Sequence, residues 1–517
     1  MRFCTAAIAA LLTATPAPAQ TLTMGVAVDT TSLDPHYHNI QFNHSIDEHI
    51  FDPLTYQDAS GRVIPWLAES WTQPDPLTWE FTLREGVTFT DGTRLDPDDV
   101  PFSFQRVSAI PSPSPLTHSI ETVSGYERIS DRTFRLKTGS FYPYLPLDLA
   151  AVPILSRSVH KDATTGDFNT GKAVIGTGAY RLVRYGRGDV IELARNPAWW
   201  GPRQPWEHVV LRPITNDAAR LAALLSGGVD LIDRVLPDDL PRLRNDPALS
   251  VSTIPALQVL YLFPDQTRDT LPLTFDRSGA PLARNPTKDA RVRQAISLAL
   301  NRQAIADTVM QGAATPAEQM VAPGAVGRDD SLTVEKFDIA RARALLAEAG
   351  LPDGWRWTLA APKGMYQNDD KVAQVIAQML TRIGIETKVE VFLPANFYTR
   401  INAKEFPIFM TGYLNANAVV TLRSLAMSKE SGPGNGALNR MDYRNPAFDT
   451  AFSRAAKEQD DARRGLALAG AMRMVMEDHA LIPVIYTANN WVTRKDRVVY
   501  TPGVLGFTQA MWARPPR

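Results

Sequence analysis

Residues 171–201 read GKAVIGTGAYRLVRYGRGDVIELARNPAWWG, and this stretch decides the fold. Gly176 and Gly178 permit a tight backbone path that residues with a Cβ would resist. One apolar strand pattern begins after Gly178 and a second follows the turn at 185–189, which is typical of a β-hairpin. An Asn-Pro pair at 196–197 then ends the second strand. The stretch therefore predicts two antiparallel strands that follow a glycine-rich segment.

The same stretch resembles the GTGPY…RNP.YWG signature of the family 5 solute-binding proteins of ABC transporters. That family includes the oligopeptide, dipeptide, glutathione, opine and nickel-chelate carriers of bacteria. Residues 46–100 parallel a second family pattern over their whole length, with the turn residues in place. Residues 285–317 parallel a third pattern, with Asn301 where the family usually has an aspartate. In the family, the hairpin marks the return of the chain to its first lobe after a long excursion.

The resemblance implies an α/β fold with two lobes, an extra inserted domain and a hinge. This is the periplasmic binding protein fold of class II, cluster C type. The alternating strand at 385–391 follows a strand at 358–361 and an amphipathic helix, which by itself predicts a parallel sheet. The expected domains are a signal peptide at 1–19, lobe I at 20–45, 171–270 and 490–517, inserted domain II at 46–170, and lobe II at 271–489.

The charge balance argues against a polyanionic partner. The chain has 517 residues with 54 basic and 55 acidic side chains, a net charge of -1. A nucleic-acid-binding protein usually carries a basic patch or a basic excess. With 44% hydrophobic residues, the chain can bury a large core. We expect a monomer that does not bind nucleic acid.

The N-terminus has the layout of a secretory signal. Arg2 precedes an apolar run at 3–12, and Ala17-Pro18-Ala19 provides a cleavage site. The run is too short to anchor the protein across a bilayer. The alternative is a buried N-terminal helix, which would seldom end in such a site. Cys4, the only cysteine, precedes the run and is therefore not placed as a lipid acceptor. We expect a periplasmic protein without a lipid anchor.

Catalytic and metal motifs are missing from the sequence. Residues 166–173, GDFNTGKA, fall one residue short of a phosphate-binding loop and lack the hydroxyl that would hold Mg²⁺. No G-x-S-x-G or H-E-x-x-H motif is present. Histidines two apart in a loop do not fix a metal geometry, and no carboxylate or cysteine pattern completes a site. The clustered histidines are His36, His38, His44 and His49. We expect no catalytic residue, no cofactor and no metal held by the protein.

Three regions supply candidate ligand contacts. His36 and Tyr37 follow an element that enters the ligand cleft in the family. Tyr261 lies on a strand that borders the ligand there, although a strand aromatic is as typical of a core. Open α/β sheets bind ligands in loops after the carboxyl ends of their strands. That rule singles out the loop after residue 361, with Met365, Tyr366 and Asn368.

The last candidate loop departs from the family. Peptide-binding members hold the α-ammonium of the ligand with an aspartate in the loop that here reads GYLNANA at 412–418, without an acid. A buried ammonium without a counter-charge would lose a charge-assisted hydrogen bond. The guanidinium of Arg423 suits a carboxylate or phosphate, and the alternative is a solvated helix residue. We predict a polar solute, neutral or anionic, such as a modified peptide, an opine-like conjugate or a glycoside. The predicted contacts are Tyr366, Tyr413, Asn415, Asn417 and Arg423.

The resemblance implies the substrate-binding component of an ABC importer. Such a protein captures a peptide-like or other small polar solute and delivers it to the transmembrane subunits of an ABC permease. The alternatives are a carrier for a metal chelate and a ligand-sensing partner of a receptor. A secreted hydrolase should show a nucleophile and base, and none is found. Nickel carriers are expected to have an arginine where residues 149–153 read LAAVP. The absence of that arginine argues against a carrier for a nickel chelate.

Export should produce a protein that begins at Gln20 or within a few residues of it. The reason is the placement of the small-residue cleavage site directly after the apolar run. Intact mass and N-terminal sequencing of the protein from a periplasmic fraction would check this. A periplasmic protein that still begins at Met1 would contradict the export argument.

Overall fold

A computed structural model of the chain describes residues 20–112, 116–325, 327–414, 417–432 and 435–516. The expected signal peptide lies outside these residues. The strands are β1 (Thr21–Val26), β2 (Thr55–Gln57), β3 (Val63–Pro65), β4 (Ala68–Asp75), β5 (Thr78–Leu83), β6 (Val123–Arg128), β7 (Thr133–Thr138), β8 (Tyr180–Gly186), β9 (Val190–Arg195), β10 (His208–Pro213), β11 (Leu231–Asp233), β12 (Leu249–Pro264), β13 (Thr274–Phe275), β14 (Ala314–Pro316), β15 (Trp355–Pro362), β16 (Ile385–Phe392), β17 (Ile408–Leu414), β18 (Ile482–Arg494), β19 (Val499–Tyr500) and β20 (Ala513–Arg514).

The helices are α1 (Gln41–Asp47), α2 (Asp99–Ala109), α3 (Leu145–Asp148), α4 (Arg157–His160), α5 (Thr165–Asn169), α6 (Asp217–Leu225), α7 (Leu240–Arg244), α8 (Ala290–Leu298), α9 (Arg302–Ala304), α10 (Ile339–Glu348), α11 (Asp369–Arg382), α12 (Pro394–Asn402), α13 (Ala418–Leu425), α14 (Pro446–Ala455) and α15 (Asp461–Glu477). Shorter helical turns, one of them π-helical at Ile305–Val309, connect several of these elements.

A mixed sheet joins the two lobes. Within the described residues it contains 12 strands, in the order β13-β15-β17-β12-β18-β11-β1-β10-β9-β8, with β14 on β18 and β16 on β15. In lobe I, β1 is parallel to both β10 and β11. In lobe II, β15 is parallel to both β16 and β17. The unit β15-α11-β16 confirms the parallel sheet predicted from the alternating pattern at 385–391.

Two long strands pass from one lobe to the other. Residues 249–255 of β12 pair with the end of β18 that also pairs with β11 in lobe I. Residues 259–264 of β12 pair with β17 in lobe II. The register of β12 against β18 shifts between Pro255 and Val259. β12 therefore crosses between the lobes near these two residues, and β18 crosses opposite them, near residues 486–489. The crossing of β12 lies before residue 270, where the sequence analysis placed the end of lobe I.

The inserted domain has its own sheet and core. Strands β4-β5-β7-β6 form an antiparallel sheet whose buried face includes Phe81, Phe134 and Leu136. Helix α2 begins at Asp99, so Pro101 falls in its first turn, where a missing N–H costs no helical hydrogen bond.

A buried ion pair fastens the inserted domain to the lobe I segment before it. Both guanidinium ends of Arg106 on α2 donate to the carboxylate of Asp34 at 2.7 Å. Thr165 donates to the same carboxylate at 2.7 Å. Breaking one partner of such a pair leaves an uncompensated buried charge, which is strongly destabilising. The ion pair therefore fixes how the inserted domain sits on lobe I.

The hairpin in 171–201 is present as β8 and β9, which confirms the two antiparallel strands. The Gly178 N–H donates to the Ile50 carbonyl at 2.8 Å, and the Thr90 N–H donates to the Gly176 carbonyl at 2.9 Å. A Cβ on Gly176 would lie 2.0 Å from the Ile50 oxygen, and one on Gly178 would lie 2.6 Å from the Ile50 carbonyl carbon. Neither glycine needs a left-handed backbone, so close approach is the reason for both residues.

Gly176→Ala should lower the free energy of unfolding by about 1–3 kcal/mol or more, because backbone rather than a mobile side chain opposes the new methyl group. Urea-induced unfolding followed by tryptophan fluorescence would measure the change. The matched control is Gly465→Ala on α15, where a Cβ meets no atom within 4 Å. That control should be neutral or stabilise by up to about 1 kcal/mol. Equal effects of the two substitutions would contradict the close-approach explanation.

Candidate ligand-binding site

A cleft runs between the carboxyl ends of the parallel strands of both lobes. On the lobe I side, the residues that follow β1, β10 and β11 line it. On the lobe II side, the lining comes from residues 363–370 after β15 and from Leu414 at the end of β17. An inner part of about 670 Å³ lies against the hinge strands, and an outer part of about 1400 Å³ adjoins it, both partly open to solvent. Strand ends that converge in this way form the usual ligand position in open α/β sheets.

Amide side chains from the hinge strands form the floor of the inner part. These residues are Gln258 of β12 with Asn489 and Asn490 of β18. Asn490 is 1% exposed, and its Nδ2 donates to Gln367 Oε1 at 3.2 Å. Among the described residues, Asn490 Oδ1 and Asn489 Nδ2 are buried without a hydrogen-bond partner. Buried polar atoms are normally satisfied, so these two have unused hydrogen-bonding capacity inside the cleft.

Contacts between the lobes cross one side of the cleft. Gln367 Nε2 of lobe II donates to the Val235 carbonyl of lobe I at 3.1 Å. Lys371 at the start of α11 forms an ion pair with Asp238, and both side chains are about half exposed. An exposed ion pair contributes roughly 0–1 kcal/mol, so the partly buried hydrogen bond of Gln367 is the more substantial link. The structure therefore has its lobes in contact.

The buried acids of the cleft are occupied by internal hydrogen bonds. Asp233 accepts from the Ala27 N–H at 2.8 Å and from the Thr508 hydroxyl at 3.0 Å. Burial raises the pKa of Asp233, while the charge of Arg220 acts in the opposite direction. Asp369 accepts from the Met365 N–H at 2.8 Å and from other N–H groups of the same loop. Burial likewise raises its pKa, against those hydrogen bonds. Both carboxylates shape the cleft walls.

The loop predicted from the strand-end rule does line the cleft. Met365 and Tyr366 border both parts, and Asn368 borders the outer part. The Tyr366 hydroxyl accepts from the Gly412 N–H at 2.9 Å and lies 3.1 Å from the Gly412 carbonyl. Asn368 has a left-handed backbone with φ of 54°, and its Nδ2 donates to the Val309 carbonyl at 2.8 Å. Tyr366 and Asn368 are thus held by lobe II itself.

Three other candidates lie away from this lining. His36 is 1% exposed, with Nε2 2.8 Å from the Pro153 carbonyl of the inserted domain. Burial lowers the pKa of His36 to about 4, so its imidazole is neutral at pH 7. The Tyr37 ring lies against the His38 ring, with 4.2 Å between the ring centroids and a tilt of 39°. Tyr261 is fully buried in the lobe II core, where its hydroxyl donates to the Met320 carbonyl. All three residues therefore contact other parts of the protein rather than the lining of the cleft.

The segment after β17 meets the cleft at its first residues. Leu414 lines the inner part, and Tyr413 packs against the lobe II core. Asn417 is fully buried and caps α13 by accepting from the Val419 N–H at 2.8 Å. Arg423 on that helix lies with Nε 3.4 Å from Asn435 Oδ1. Asn415 lies outside the described residues. The roles of these residues in binding stay predictions.

Several residues that line the cleft were not predicted as ligand contacts from the sequence. Arg234 directly follows β11, so the rule that selected the loop after residue 361 applies to it as well. Phe42 lies on α1, and Asn489 and Asn490 lie inside the long strand β18. No local sequence pattern identifies Phe42, Asn489 and Asn490 as cleft residues, because their position in the cleft depends on how strands from the two lobes pair.

The described residues contain no group of three or more His, Cys, Asp or Glu side chains placed to hold a metal ion. Across the same residues, no helix has both the length and the apolar character needed to cross a membrane.

Comparison with known proteins gives consistent matches. The family model for bacterial extracellular solute-binding proteins, family 5 Middle, matches residues 62–429. The dipeptide-binding protein of Escherichia coli K12 is 25% identical over 493 residues, covering 88% of this chain and 86% of that protein. The di/tripeptide-binding protein 2 of Pseudomonas aeruginosa is 27% identical over 503 residues, covering 90% of each. The crystal structure of the ABC transporter substrate-binding protein CtaP from Listeria monocytogenes matches with a TM-score of 0.82 at 21% identity, covering 96% of this chain and 100% of that one.

Tyr366→Phe should lower the free energy of unfolding by about 1–3 kcal/mol, because the Gly412 N–H loses its acceptor in a buried position. Denaturant unfolding would measure this loss. The matched control is Tyr180→Phe, since the buried Tyr180 hydroxyl has no hydrogen-bond partner among the described residues. That control should be neutral or slightly stabilising. A Tyr366→Phe protein as stable as its parent would show that the hydroxyl does not hold the loop.

Proposed function

The chain belongs to the bacterial extracellular solute-binding proteins of family 5, and from this premise we propose that it captures a small polar solute between its lobes for an ABC permease. The match over residues 62–429 confirms the resemblance seen in the 171–201 signature. The observation that supports the proposal most directly is the cleft between the strand ends of two lobes that share β12 and β18. A cleft at a domain boundary, mostly formed in advance, is the common position of a small-molecule site.

The two crossing strands suit a hinge motion. A solute that contacts both lobes binds the closed arrangement better than the open one, so it shifts the population towards closure. Met365 and Gln367 from lobe II face Phe42 and Arg234 from lobe I in the inner part of the cleft. One enclosed solute can therefore contact both lobes at once.

Binding without chemical conversion is sufficient for this role. A dissociation constant on the order of 1 μM corresponds to about 8 kcal/mol, which one enclosed site can supply. The sequence offers no nucleophile and base pair to convert the solute. Delivery to the membrane subunits of a permease and residence in the periplasm complete the proposal.

The proposed solute is peptide-like or another small polar molecule, neutral or anionic. Relatives named for dipeptides and for di- and tripeptides support a solute of this size. The loop at 412–418 has no acid to hold an α-ammonium. The segment from Tyr413 to Arg423 stays a proposed contact region, because Leu414 within it lines the inner cleft.

Mature protein incubated with the small-molecule fraction of a bacterial extract should retain a solute that mass spectrometry can identify. Adding that solute back to stripped protein should lower the radius of gyration in small-angle scattering, because the lobes close on it. The recovered solute should keep its mass after long incubation. Retention of nothing, equal dimensions with and without saturating solute, or conversion of the solute would each count against the proposal.

A further inference from the structure

Arg234 lines the cleft, and the described residues provide no hydrogen-bond or ion-pair partner for its guanidinium. It borders both the inner and the outer part. Its guanidinium carbon lies 5.1 Å from the centroid of the Phe42 ring. Within the described residues, the guanidinium makes no hydrogen bond and no ion pair, whereas the other arginine of this unit, Arg220, makes both. Arg234 is half-buried, so its guanidinium N–H groups are available to a ligand in the cleft.

The acids near Arg234 act on it through their charge, but within the described residues none of them forms an ion pair with it. Asp233 and Asp369 accept the internal hydrogen bonds described above. Asp217, which borders the outer part, pairs with Arg220 at 2.6 Å. Burial lowers the pKa of Arg234, while the charge of Asp233 opposes that change, and an arginine stays protonated in proteins. Within the described residues, Arg234 is thus a half-buried cation of the cleft whose N–H donors are not used by the neighbouring acids.

The backbone at Arg234 is held in an unusual conformation. Its φ is 50°, in the left-handed region that residues other than glycine rarely adopt. Arg220, which is 1% exposed, donates to the carbonyls of Asp233 and Arg234, each at 3.2 Å. A strained backbone of this kind persists only where the surroundings enforce it. The position of Arg234 at the end of β11 is therefore fixed before any solute arrives.

Unused polar atoms lie in the same inner cleft. Asn490 Oδ1 and Asn489 Nδ2 have no partner among the described residues, although both are buried. An amide nitrogen can donate to an oxyanion, and an amide oxygen can accept from a neighbouring N–H or O–H group of the same solute. The inner cleft therefore combines a cation with a separate donor and acceptor.

We propose that Arg234 receives an oxyanion of the solute, a carboxylate or phosphate, at the hinge end of the cleft. The inference rests on the proposed function and narrows the solute from polar to acidic. A guanidinium presents parallel N–H donors that match an oxyanion in two-point geometry. Neutralising Arg234 on lobe I while the rest of the solute contacts Met365 and Gln367 on lobe II favours the closed arrangement. Arg234, rather than Arg423, is then the main electrostatic contact.

Capture from an extract tests the assignment with four variants of the mature protein. The variants are Arg234→Gln, Arg234→Lys, Arg423→Gln and Arg454→Gln. Arg454 is an exposed residue of α14 outside the cleft lining and serves as the matched control. Each is incubated with the same small-molecule fraction, and the retained solutes are identified by mass spectrometry. Calorimetry then compares wild-type binding of the identified solute with binding of its carboxamide or dephosphorylated derivative, which does not depend on any variant folding.

The expected solute is an acid, bound at least about tenfold more tightly than its neutral derivative, since a charge-assisted pair is lost. Arg234→Gln should weaken binding by a similar factor, Arg234→Lys by less, and Arg454→Gln not at all. A wild-type protein that retains a solute without an acid group, or binds acid and derivative equally, overturns the inference and leaves the proposed function standing. Weakening by Arg423→Gln but not by Arg234→Gln would also overturn it. Wild-type protein that retains nothing would overturn the proposed function itself.

Discussion

The pairing of β12 with β18 is the constraint on which the other features depend. β18 pairs with β11 of lobe I at one end and with β14 of lobe II at the other, while β12 pairs with β18 along its length and with β17 of lobe II. Separating the lobes would therefore break backbone hydrogen bonds in the middle of one sheet. The pairing is interrupted between Pro255 and Val259, and Pro255 has no N–H to contribute. Bending at this point leaves the regular pairs on both sides intact. The lobes can therefore rotate as units while the chain between them stays hydrogen-bonded.

The same crossing determines what meets in the cleft. Because β12 runs parallel to β11 and then antiparallel to β17, the carboxyl ends of the parallel strands in both lobes point towards the crossing. Short loops follow these ends, and their N–H groups need acceptors. Asp233 satisfies the strand end at Ala27, and Asp369 satisfies the loop at Met365. The presence of Asp233 and Asp369 in the cleft is therefore explained by these internal hydrogen bonds and does not by itself indicate a contact with the solute.

The sequence was most informative where the structure is local. The tight path at Gly176 and Gly178 and the parallel unit from β15 to β16 each follow from a few neighbouring residues, and both are present in the structure. The loop at Met365 and Tyr366 was found from a rule about strand ends, which needs only the strand. By contrast, Asn489 and Asn490 read as ordinary strand residues. Their burial in the cleft arises from the pairing of β18 with strands far away in sequence, which no local pattern encodes.

Arg220 and Arg234 show why residue type alone does not identify a site. The two arginines belong to one unit of lobe I; Arg220 is buried and Arg234 is half-buried. Arg220 donates to the carbonyls of Ile214, Asp233 and Arg234 and to the carboxylate of Asp217. These hydrogen bonds and the ion pair with Asp217 occupy the guanidinium of Arg220, so Arg220 is a structural residue that holds the end of β11. Arg234 occupies the position that Arg220 holds in place, yet its own donors face the cleft unused. Burial of a polar group is favourable only where hydrogen bonds satisfy it, and Arg220 meets that condition through the fold itself, whereas the half-buried Arg234 does not need to.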